Sequence, residues 1–432
     1  MSSDQTEETK VAPQRPSRAH LRPTKVWMRS LRGSTRNNDL RHSRRWRHLA
    51  LAGLAGIALS INPRLPARDN HQPDLQSEFD RQLDDCPAHD IAARLRLIHW
   101  ALDQGLEEQA EALYREILAQ APTHQRAYEG LLRLATRRSL AGASETFAAT
   151  RRVLPEGFRA HETARYIILS NANARWTRTQ AKRLERTCDE FYRHTKRLGL
   201  RPLPLRHKLV CVLFRNRKEF NAFAAKHDHL NLHSWNLGYY SQRNDRIVLF
   251  DGTSEQDADE FTKERTVATT IHEAVHQLHY HTCVMNVHLQ YPLWICEGLA
   301  TAFEAGSTNH AFGPEHDFEP RQRHFFALLE RKDLMPLRSL AQLDALPDSS
   351  QQTSFTAYNQ SYALVSWLAR KRRSELRDYL MLLLAEPPGR PTAQRHLDLL
   401  EQAFGDVDRL EQEWLRDERR QNTNTRGKEN RK

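Results

Sequence analysis

Residues 294–303, WICEGLATAF, read as an interior helix: Trp294, Ile295, Leu299, Ala300 and Phe303 form an apolar stripe with Glu297 inside it. A carboxylate leaves water only when something meets its charge, so the fold must bring a metal ion or a buried ion-pair partner to Glu297. The upstream stretch TTIHEAVHQLHYH, residues 269–281, offers the matching groups, with four histidines around Glu273. Ile271, Ala274, Val275 and Leu278 give that stretch an apolar face at helical spacing, so it too belongs in a core. Gly298 carries no side chain, which lets the two helices approach closely.

Within the histidine-rich stretch, HEAVH places His272 and His276 four residues apart. Both imidazoles then leave one helix face a turn apart and can reach one ion, with Glu273 beside it to act on water. A third ligand must come from elsewhere. The arrangement with glycine and a further histidine downstream fails, because His279 and Thr282 occupy those positions. Glu297, 21 residues after His276, is the remaining candidate.

HEAVHQL followed by WICEGLATAFE resembles the gluzincin metallopeptidases, whose third ligand lies in a W-x-x-E-G-x-A element. The region from about Tyr166 to Leu384, including GYYSQRNDRIVLFD and YNQSYALVSWL, is similar to a bacterial family of gluzincin-like domains of unknown function. The resemblance covers roughly half the chain, and its zinc elements are its specific part. It implies a metallopeptidase fold with Zn2+ on His272, His276 and Glu297, and with Glu273 as general base. Three protein ligands would leave a fourth position for water, whose pKa zinc lowers towards about 7.

Further residues follow from the same comparison. An oxyanion donor opposite Glu273 is expected from Tyr362 or, as second choice, Tyr358; a core aromatic is the competing reading of both. Many gluzincins carry an acid four positions after the ligand glutamate to orient a zinc-bound histidine. Thr301 stands there, so Glu304, a turn further along, is the expected substitute. The aminopeptidases' G-x-M-E-N run is absent, so the expectation is an endopeptidase. His279 belongs to the zinc face or lines the cleft, and His281 and His288 are expected at the surface or in the cleft. Cys283 and Cys296 lie near enough in sequence to close the fourth position of a structural site instead.

The rest of the chain divides by texture. Residues 1–48 hold twelve Lys or Arg against four acids, so most of the net charge of +11 lies in a basic region expected to be disordered. Residues 49–62 open with the thirteen-residue run LALAGLAGIALSI, long enough for a signal sequence and short for a span. Such a segment implies export or anchoring, hence an extracytoplasmic protein; a buried helix or a nucleic-acid-binding arm are the alternatives. Residues 63–88 read as a linker. Within 89–158, Gly105, Ala110, Tyr114, Ile117 and Pro122 fall as in the second half of a tetratricopeptide repeat, and Ala143, Phe147, Thr150 and Pro155 come close to repeating the spacing. Two degenerate repeats are too few for a free-standing solenoid, so they should pack on something else; a generic helical hairpin is the plainer reading.

From 159 the pattern alternates. RYIILS, KLVCVLF and RIVLFDG read as strands, with a helix at Leu184 to Leu198 and a hairpin turn at Asn244 and Asp245. Beyond about 256 everything reads as helix and loop. Residues 416–432 lack apolar residues and are expected to be disordered.

The expected architecture is therefore α+β. Tetratricopeptide-like hairpins precede a gluzincin-like domain, 159–415, made of a small mixed sheet, the zinc helices and a helical C-terminal part. The expected function is a zinc peptidase acting on peptide or protein substrates. The alternative is an envelope interaction protein that holds a partner through its hairpins, with a structural or vestigial zinc site. No nucleic-acid partner is expected.

Overall fold

The computed structural model describes residues 75–429, except 88, 122–123, 139, 141, 255–258 and 346–350. The basic region and the hydrophobic segment 49–62 lie outside the described residues, as does the first part of the expected linker. Among the described residues no helix is long and apolar enough to cross a membrane. All of them fall in the unit Asp69–Lys432.

KLVCVLF explains the centre of the molecule. Its strand β3 (Leu209–Phe214) is buried at every position, because the sheet is covered on both faces. Cys211 and Leu213 enter one core while Val212 and Phe214 enter another, as the two-residue strand period requires. Around it the sheet runs β1 (Arg159–Glu162), β2 (Tyr166–Ser170), β3, β5 (Arg246–Phe250), β4 (Gly238–Ser241). The three inner strands are parallel, and β1 and β4 are antiparallel edges. The β4–β5 hairpin turns at Asp245, whose φ of 45° is left-handed.

One sheet face packs on α6 (Ala174–Arg197) and α8 (Glu260–His281), and this core continues without a break into the C-terminal helices. Those are α9 (Leu293–Phe303), α10 (Glu319–Arg331), α11 (Leu337–Gln342), α12 (Gln351–Lys371), α13 (Arg373–Ala385), α14 (Ala393–Phe404) and α15 (Val407–Glu429). The other face packs on Leu154 and Phe158 and on α7 (Arg217–Phe223) through Phe220 and Phe223. The architecture is thus mixed α+β with a small mixed sheet. Among the described residues, the one β pairing after residue 256 is an isolated bridge between Leu289 and Gly389.

Ahead of the sheet run α1 (Leu75–Asp84), α2 (Ile91–Asp103), α3 (Glu107–Gln120), α4 (Gln125–Arg138) and α5 (Ala143–Val153). Tyr114 of α3 lies where a Cβ on Gly130 of α4 would stand, so the aromatic fills the gap between paired helices and residue 130 has to be glycine. These helices do not stand alone. Their core takes in Leu203 and Cys283. Arg133 also donates to the carbonyls of Arg201 at 2.6 Å and Cys283 at 3.2 Å.

Two expectations about the ends need correction. The stretch assigned to a linker carries α1, held by Phe79, which is buried against the hairpins. Its charged neighbours hide that single anchor in the sequence. The C-terminal residues from 416 continue α15 to Glu429 rather than becoming disordered. Val407, Leu410 and Trp414 bury one face of that helix, and Glu418, one turn on, is carried into the interior with them.

Candidate metal centre

The HEAVH stretch lies mid-way along α8, whose first turn is capped by the Asp259 carboxylate accepting from Thr262 N–H at 2.8 Å. His272 and His276 leave one face a turn apart, and α9 crosses that face with Glu297. The close approach that Gly298 allows is to α12 rather than to α8: a Cβ on Gly298 would lie 2.6 Å from Val365 Cγ2 and 2.9 Å from the Ser361 carbonyl oxygen of α12. Helix α9 is therefore wedged between α8 and α12, and Glu297 is aimed at the histidines.

Three ligand atoms converge. His272 Nε2 and His276 Nε2 are 3.0 Å apart, and Glu297 Oε2 stands 3.2 Å from the first and 3.6 Å from the second. Ligands at about 2.0 to 2.1 Å around a tetrahedral zinc lie roughly 3.3 Å from one another, so the three separations have the size of the edges of one coordination shell. Glu297 Oε2 makes no hydrogen bond despite its burial. It faces the point between the nitrogens rather than either one. Among the described residues this is the one group of three such side chains close enough to share an ion.

The field at that point favours positive charge. Burial alone would lower the His272 imidazole, but the Glu297 and Glu304 carboxylates beside it carry it up to about 9. Burial would likewise raise Glu297, yet His276 and then His272 hold it well below the usual carboxylate range. A divalent cation answers the same field. Side-chain exposures of 12 % for His276 and 19 % for Glu297 leave one side of the cluster reachable from solvent.

A second ring of groups fixes the first. His272 Nδ1 lies 3.0 Å from Glu304 Oε1. An ionised carboxylate only accepts, so Nδ1 carries a proton, and a metal ion bound at the cluster would take the lone pair of Nε2. Glu304 is in turn gripped by Arg321, Nε to Oε2 at 2.7 Å and Nη2 to Oε1 at 2.8 Å. Burial would raise the Glu304 carboxyl, but Arg321 and His272 hold it low. On the other histidine, Cys296 Sγ lies 3.9 Å from His276 Nδ1, on the side away from the ligand cluster. Cys283 packs in the hairpin core instead.

Glu273 turns towards the sheet edge, where Tyr240 N–H of β4 donates to its Oε2 at 2.8 Å. Burial raises its carboxyl, against the pull of His272 and His276. A carboxyl shifted upward in this way could exchange a proton nearer neutral pH than an ordinary one.

The two tyrosines separate. Tyr358 is half-buried with its ring stacked towards His272 at a centroid distance of 6.5 Å. Tyr362, the first choice from sequence, is buried a turn along α12, where its hydroxyl accepts from Phe318 N–H at 2.8 Å at the start of α10. It ties α10 to α12 and is not among the residues gathered at the cluster. Side chains one turn apart on α12 thus face different neighbours.

Among the surplus histidines, His279 is a core residue edge-on to Phe191, and burial pushes its imidazole down to about 3. His281, expected at the surface or in the cleft, is buried and sits 2.8 and 2.9 Å from the two Asp245 oxygens. The turn residue Asp245 also accepts from Tyr240 Oη at 2.9 Å, so the hairpin that presents Tyr240 N–H is pinned to the end of α8. His288 is exposed, as expected.

A family model covers this part of the chain. Residues 266–388 match the family described as "Protein of unknown function (DUF1570)". The match begins in α8 just ahead of the HEAVH stretch and ends after α13, so it takes in the three clustered side chains, Glu273, Glu304, Arg321 and Tyr358. Tyr240 and the sheet fall outside it. No curated protein matches the chain.

Sequence reasoning missed Arg321 and the Tyr240 amide. The arginines of EPRQR read as solvated, and a backbone N–H on an edge strand leaves no trace in side-chain spacing.

Proposed function

We propose that the chain is a gluzincin-type zinc peptidase that hydrolyses peptide bonds within protein or peptide substrates. The observation that carries the reading is the convergence of His272 Nε2, His276 Nε2 and Glu297 Oε2 at separations of 3.0, 3.2 and 3.6 Å beside Glu273. A zinc ion bound there would supply Lewis acidity towards a water molecule and a substrate carbonyl. The remaining work belongs to the chain's own groups. Tyr240 N–H occupies Glu273 Oε2, which leaves Oε1 to take the proton of the attacking water and return it to the departing amine. Tyr358, whose ring stacks towards His272, is taken as the oxyanion donor in place of Tyr362.

The same geometry weighs against a purely structural site holding together an envelope interaction protein. A closed zinc site fills its fourth position with another histidine or cysteine. Here Cys283 belongs to the hairpin core, Cys296 lies on the far side of His276, and the cluster keeps a solvent-facing side. The hairpins of α2 to α5, tetratricopeptide-like in the contact of Tyr114 with Gly130, remain a surface for a protein partner in either case. The leader-like segment 49–62 supports an extracytoplasmic location.

The test compares the full chain with Glu273→Gln for zinc content and for cleavage of casein and a peptide library. Zinc in both proteins with cleavage in the wild type alone supports the peptidase. Zinc-loaded wild type that cleaves nothing across the library overturns it.

A further inference from the structure

We propose that Arg321 is a positioning residue for the metal centre: it clamps both oxygens of Glu304 and so sets the carboxylate that orients His272. The inference rests on reading the cluster as a metal centre. Glu304 follows directly on α9, and its backbone caps that helix, so its side chain could point several ways unless held. Arg321 holds it through a two-point contact at 2.7 and 2.8 Å, the planar fork that arginine makes and lysine cannot. Glu304 Oε1 is shared between Arg321 Nη2 and His272 Nδ1, so a shift of the guanidinium is passed to the imidazole through one oxygen atom.

Arg321 is itself anchored from two sides. Its Nη1 lies 3.4 Å from Asn359 Oδ1, and the Asn359 amide donates to the Phe355 carbonyl at 2.7 Å. The start of α10, which presents Arg321, is tied to α12 through Phe318 N–H and Tyr362 Oη. The clamp therefore runs from α12 through α10 and the end of α9 to the ligand on α8. Glu304 and Asn359 are buried and Arg321 is half-buried, so the polar atoms of Glu304 and Asn359 depend on their neighbours rather than on water.

Zinc affinity by chelator competition and the visible absorption spectrum of the Co2+-substituted full chain are measured for wild type, Glu304→Gln, Arg321→Met, Arg321→Lys and the double variant Glu304→Gln/Arg321→Met. Loss of an outer partner of a ligating histidine weakens metal binding by about 10- to 100-fold. Arg321→Met is expected to fall in that range with an altered cobalt spectrum, Arg321→Lys to recover part of the loss, and the double variant to bind no worse than the weaker single variant. Arg321→Met with wild-type affinity and spectrum overturns the inference. So does a double variant whose loss is the product of the two single losses. Should Arg321→Met fail to fold, the double variant, which removes both charges of the pair, decides: affinity like Glu304→Gln supports the clamp, and affinity like wild type overturns it. A wild type that binds zinc but cleaves no peptide removes the peptidase reading and leaves the clamp standing. A wild type that binds no divalent ion removes both.

Discussion

Gly298→Ala joins helix packing to the metal centre in one substitution. In an open helix this change adds about 0.5 to 1 kcal/mol of stability, because alanine loses less backbone freedom on folding than glycine. Here the new Cβ would stand 2.6 Å from Val365 Cγ2 and 2.9 Å from the Ser361 carbonyl oxygen. The Val365 methyl can swing aside, but the carbonyl belongs to the backbone of α12. Non-bonded heavy atoms rest at about 3.5 to 4.0 Å, so α9 has to retreat by at least about 0.6 Å. Overpacking of this kind costs about 1 to 3 kcal/mol, which outweighs the entropic gain and sets the sign. The retreat also carries Glu297 beyond the roughly 0.5 Å tolerance within which such a site must be held. Urea unfolding of the metal-free protein should show destabilisation by about 1 to 3 kcal/mol, and chelator competition should show zinc affinity reduced by about tenfold or more. A Gly298→Ala protein as stable as wild type, with unchanged zinc affinity, would refute the wedged placement of α9.

Two further outcomes follow from side chains whose surroundings are unusual. Glu418 is buried, and burial pushes its carboxyl up to about 7, with Arg370 opposing and Asp317 adding to the shift. Because its folded value is raised, its contribution to stability is complete below the unfolded value of about 4.3 and is lost as pH rises through about 7. Glu418→Gln should therefore stabilise the fold by up to about 3 kcal/mol at pH 8 and by little near pH 4.5; equal urea midpoint shifts at both pH values would contradict this. The tyrosines should split: Tyr358→Phe lowers kcat by about 100-fold with KM little changed. Tyr362→Phe leaves Phe318 N–H without its acceptor and costs about 1 to 3 kcal/mol of stability. Steady-state kinetics and urea unfolding of the pair check the split, which fails if Tyr362→Phe is the one that loses turnover.

Much of the site was legible because its chemistry needs fixed spacings. A carboxylate inside an apolar stripe at Glu297 and two histidines a turn apart have few ways to be satisfied in one fold, and they do meet. Glu304 is expected from the family resemblance and the helical period together, and the structure sets it 3.0 Å from His272. The strands were readable because burial on both sheet faces leaves KLVCVLF with no polar residue from Leu209 to Phe214. What stayed hidden depends on long-range contacts. Tyr358 and Tyr362 share a helix and similar neighbours in sequence, and the start of α10, docking by Phe318, decides between them. His281 looks like surface until the hairpin turn delivers Asp245 to it. Helix α1 and the end of α15 are hard to read from sequence because both lie in charged segments: Phe79 alone anchors the first, and the second continues a helix held upstream by Val407, Leu410 and Trp414.

The most direct measurement is the metal content of the full chain. Protein purified, stripped and reloaded with Zn2+ is assayed by mass spectrometry of the metal, for wild type, His276→Ala, Glu297→Ala, Cys283→Ala and His279→Ala. One tightly held zinc per chain is expected in wild type, Cys283→Ala and His279→Ala, and its loss in His276→Ala and Glu297→Ala. Wild type without bound zinc, or full occupancy in Glu297→Ala, would contradict the assignment of His272, His276 and Glu297 as one metal centre.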